Sequence, residues 1–73
     1  MRELELYEQY ILEAERHRRL ARKFAGQALS LARESGREMK HFRLLESCLM
    51  EAGKHFAESL KYEQKASELY NLT

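Results

Sequence analysis

The side chains of this 73-residue chain with the richest chemistry are three histidines, one cysteine and a run of arginines. His41, Cys48 and His55 recur every seven residues, which on a helix places them along one stripe about 10 Å apart per step. That separation is too long for one shared metal ion. Folding the chain at residues 35–37 instead brings His17 opposite His55, and each has a glutamate one turn earlier, Glu13 and Glu51. Carboxylate and imidazole ligands converging inside a helical bundle are what a Zn or Fe site uses, so His17, His55, Glu13 and Glu51 are the metal candidates. The Glu-x-x-His spacing of di-iron bundles occurs only as Glu38-Met39-Lys40-His41. The expectation is therefore of histidines at the margin of an apolar core and of no bound cofactor.

Arg16, Arg18, Arg19, Arg22 and Lys23 surround His17 and are the densest charge in the sequence. Arg16, Arg19 and Lys23 share one helix face and could meet phosphates. Glu15, however, lies three, four and seven residues before Arg18, Arg19 and Arg22, the spacing of ordinary helix-surface ion pairs, and no aromatic platform accompanies the run. With a net charge of +1 there is no general pull toward nucleic acid or an anionic membrane. Nucleic-acid binding through Arg16–Lys23 is thus the third of three expectations. Cys48, the only cysteine, has no His/Asp arrangement beside it, and the three glycines stand apart at 26, 36 and 53. Neither a nucleophile site nor a phosphate-cradling loop follows, and no enzymatic activity is expected.

The elements that must position these groups are helices. Forty-five of the 73 residues are Ala, Glu, Lys, Leu or Arg, the bias of long helices and coiled coils. Only Ile11 and Thr73 are β-branched, which leaves a sheet nothing to be built from. A seven-residue repeat runs through Leu4, Tyr7, Ile11, Ala14, Arg18, Ala21, Ala25, Ala28 and Ala32, one helix face, with Tyr10, His17, Phe24 and Leu31 as a bulkier flank. Arg18 interrupts that seam, either as a polar residue that fixes register or oligomer state or as one whose aliphatic stem packs while its head reaches water. Ser35-Gly36-Arg37-Glu38 reads as a capping box starting a second helix. The second stripe holds Met39, Phe42, Leu45, Leu49, Ala52, Phe56, Leu60, Ala66, Leu69 and Tyr70. Gly53 stands in its middle and either is carried inside one long helix or ends a short one. The expectation is one all-α domain over residues 1–73: a helix over about 3–34, a turn at 35–37, then a helix or helix pair over about 37–71. The first form is an antiparallel hairpin of long helices, and the second is three helices broken at Gly53.

The stretch Phe42 to Asn71, FRLLESCLMEAGKHFAESLKYEQKASELYN, resembles a tetratricopeptide repeat. Phe42, Leu45 and Leu49 look like its first-helix positions, Gly53 its turn, and Phe56, Ser59, Leu60 and Ala66 its second-helix positions. Ala52 to Leu69 is also similar to the first two helices of the microtubule-interacting-and-transport domain, a module that binds amphipathic helices. Either resemblance implies a protein-interaction role.

The apolar side chains exceed what one buried face needs. Leu6, Leu12, Leu20, Leu29, Leu44, Met50, Tyr62 and Leu72 point away from the seams, and chains below about 80 residues usually lean on a partner, a disulfide or a metal. The leading expectation is a protein-interaction module or small adaptor subunit that takes a partner's amphipathic helix, or a second copy of itself, in a groove between its helices. Its contacts would be Leu12, Leu20, Leu44, Met50 and Tyr62, with Arg16 and Arg19 as orienting charges. The alternative is a homodimeric four-helix bundle with a metal-binding or regulatory role. No run approaches the roughly 20 apolar residues of a membrane span, and with no secretory signal the expected location is cytoplasmic or otherwise intracellular.

Overall fold

The structure, a computed structural model, describes residues 2–34 and 39–72. They form two helices, α1 (Arg2–Glu34) and α2 (Met39–Leu72). Tyr7 meets Tyr70, Tyr10 meets Tyr62 and His17 meets His55, so the helices run antiparallel along their whole length. The result is a rod of 54 × 12 × 12 Å. Among the described residues no helix is long and apolar enough to cross a membrane. The capping box at Ser35–Glu38 and the turn glycine Gly36 lie outside the described residues.

α2 passes through Gly53 without a break, so the three-helix form is replaced by the hairpin. One glycine costs a helix about 1 kcal/mol relative to alanine, and 34 residues of mostly strong helix formers, packed against a neighbour, absorb that cost. The turn that a tetratricopeptide-like pair would place at Gly53 is therefore not formed there.

The contact between the helices is made of small side chains. Among the described residues, the buried ones are Ala14, Ala21 and Ala28 on α1 and Ser59 and Ala66 on α2. Each set repeats at seven residues, so each lies along one line of its helix, and the absence of bulk lets the two backbones close on each other. Ser59 meets the demand of a buried hydroxyl locally by donating to the Phe56 carbonyl at 2.6 Å. The seam read from the sequence is thus half right. Its 14/21/28 line is the core, but Leu4, Ala25 and Ala32 are exposed. On α2 the bulky Phe42, Leu49, Phe56 and Leu60 are about half exposed, displaced to the rim because the line of small residues permits the closer approach.

Candidate interaction face

The hairpin has two unlike sides. On the first, Tyr62, His17, His55 and Phe24 stack in order, with ring centroids 5.7, 5.3 and 5.7 Å apart and interplanar angles of 8°, 25° and 6°. His17 and His55 also join Nδ1 to Nδ1 at 3.0 Å; one ring donates its N–H and the other accepts. Each Nε2 leans on the glutamate of its own helix, Glu13 at 3.9 Å and Glu51 at 3.7 Å. The ladder extends to Tyr10, 6.1 Å from Tyr62, and Lys65 lies over both tyrosine rings. Farther toward the turn, the Cys48 thiol contacts the Gln27 side-chain carbonyl at 3.8 Å.

The four residues read as metal candidates are therefore brought together, yet as a hydrogen-bonded aromatic stack. Among the described residues no three His, Cys, Asp or Glu side chains gather so as to hold one metal ion. A hydrogen bond in this partly buried place is costly to leave half made. His55→Phe should keep the stack and strand the His17 Nδ1, costing about 1–2 kcal/mol. The double variant His17→Phe/His55→Phe should recover most of that loss in urea unfolding, and a double variant weaker than either single one contradicts the pairing.

The other side is open. Arg18, Ala21, Arg22 and Ala25 of α1 and Ala52, Gly53 and Phe56 of α2 line an apolar groove of about 450 Å³. Phe42 and Leu49 extend the Phe56 line at intervals of seven, and Leu60 lies one turn beyond Phe56 on the same side. A second depression, between Tyr7, Ile11, Ala66 and Tyr70, continues the groove toward the free ends of the hairpin. Arg18 and Glu63 form an ion pair across the helices between the two depressions. Arg18 therefore reaches across to α2, to a partner that the Glu15 spacing did not indicate. Arg16 pairs instead with Glu13 at 3.5 Å, while Glu15, Arg19 and Arg22 share a polar pocket with Arg18.

The contact residues read from the sequence do not assemble into one surface. Leu12 and Met50 are well exposed but face away from the seam, and Leu44 borders a separate depression with Gly26, Leu31 and Cys48. Tyr62 is held in the ring ladder, Leu20 is half-buried, and Arg16 and Arg19 are exposed. The residues that do line the open side, Phe42, Leu49, Phe56 and Leu60, belong to the second apolar stripe of the sequence. The signal that separates them is present in α2: two seven-residue lines run side by side, one small (52, 59, 66) and one bulky (42, 49, 56), and only one can lie at a closely packed contact.

No protein-family model, curated protein or solved structure matches the chain.

Proposed function

We propose that this protein is an interaction module that takes a helical partner along its open face, rather than an enzyme. The observation that carries this reading is the apolar groove lined by Ala21, Ala25, Ala52, Gly53 and Phe56, bordered by Phe42, Leu49 and Leu60, each about half exposed. An amphipathic helix laid in such a groove is read by side chains at helical spacing, and a contiguous apolar patch rimmed by charge marks an interface. The Arg18–Glu63 pair would set the partner's register, since a buried partner surface must avoid or answer it.

A photo-crosslinking amino acid at position 49, on the open face, should give adducts in cells that express the full chain. The same group at position 43, on the far side of α2, should give none. Equal labelling from both positions, or none from position 49, would overturn the reading.

A further inference from the structure

We propose that the occupant of the open face is the same face of a second copy of this chain, with Phe56 of each copy seated in the groove between Ala21, Ala25, Ala52 and Gly53 of the other. The proposal rests on the interaction reading above and names its partner. Three observations carry it. The first is area. The chain exposes 6062 Å², whereas a compact monomer of 8.7 kDa exposes roughly 4,700 Å². The rod of 54 × 12 × 12 Å thus exposes about 1,300 Å² per chain more than a compact shape would, an area of the size each protomer contributes to an obligate dimer interface. The buried interior of the hairpin, four alanines and a serine among the described residues, is correspondingly small for a chain that must fold alone.

The second observation is Gly53. A Cβ built there meets nothing within 4 Å, so no contact inside the hairpin asks for glycine. Helix propensity argues against it. Gly26 of α1 is equally open but borders the separate Leu44 depression; Gly53 lies in the groove itself, where the lack of a side chain lets another element approach closely from outside.

The third is self-complementarity. A two-fold interface uses one patch twice, so that residue i meets j while j meets i. Here a projecting ring, Phe56, and a hollow of small residues lie side by side on one patch, which lets two copies exchange ring for hollow. The patch holds Arg18 paired internally with Glu63 and Arg22 beside it, and the whole chain has a net charge of only +1. The product of two copies meeting there is a four-helix bundle.

Sedimentation equilibrium of the full chain over a wide concentration range, with thermal unfolding alongside, tests this. The expected result is a dimer whose melting temperature rises with concentration. Phe56→Asp should weaken association at least tenfold. Gly53→Leu separates the possibilities even if that variant fails to fold. In a lone hairpin it fills open space and improves helix propensity, so the melting temperature should rise; in the proposed pair it blocks the hollow, so both association and melting temperature should fall. A folded wild-type monomer, or a dimer indifferent to both substitutions, overturns the self-pairing. Adducts from position 49 to a different protein would then leave the interaction reading standing, and an absence of adducts would remove both.

Discussion

Ala66→Leu is expected to be the most damaging single substitution in the hairpin, with a loss of about 3 kcal/mol in urea or thermal unfolding. Overpacking a tight core typically costs 1–3 kcal/mol and occasionally more. Ala66 is 1% exposed and lies on the buried small-residue line between the helices. Three added carbons have nowhere to go except between the two helices. Separating the helices at Ala66 would also pull on Ser59, one repeat away, and on the rings stacked along the neighbouring edge. Ala57→Leu is the control. It adds the same atoms to the exposed side of α2, where alanine and leucine differ by only a few tenths of a kcal/mol in helix propensity. Equal losses at the two positions would mean that the small-residue seam is not the contact.

Tyr62→Ala should follow, with a loss of about 2 kcal/mol, below the 3–5 kcal/mol of a fully buried aromatic because Tyr62 is only half-buried. Its ring stacks on His17, touches Tyr10 and carries Lys65 above it. Each aromatic contact is worth about 0.5–1.5 kcal/mol beyond its area, and an exposed cation over a ring adds about 0.5–1 kcal/mol. Tyr62→Phe keeps the ring and should fall within about 0.5 kcal/mol of the native protein. Loss of the ring should also loosen the His17–His55 contact, visible as faster exchange of the imidazole proton signals by NMR. A Tyr62→Ala protein as stable as the native one would show that the aromatic ladder adds nothing to the seam.

Much of the architecture is legible in the residues. The scarcity of β-branched side chains and the wealth of Ala, Leu, Glu, Lys and Arg fix the helical class, because local propensity and the apolar period agree over more than 30 residues at a stretch. The meeting of His17 with His55 follows from folding helices of 33 and 34 residues back on each other, which is arithmetic once the joint is placed. At Gly53 the local cost of a helical glycine is about 1 kcal/mol, less than the packing of α2 against α1 along its length, and nothing near it in sequence announces that packing.

What the sequence determined by itself is the set of seven-residue lines on each helix: small, bulky and aromatic. Helical geometry makes every line straight without help from the rest of the chain. Which lines meet is a property of two helices together. The structure sets Ala14, Ala21 and Ala28 against the line of Ser59 and Ala66, where backbones can close and aromatic rings can stack across one edge. Phe42, Leu49, Phe56 and Leu60 are thereby left on the other. Close packing admits one pair of lines at the contact and turns the bulkier one outward, so the candidate interaction face arises from competition between surfaces and is written in no single stretch of residues.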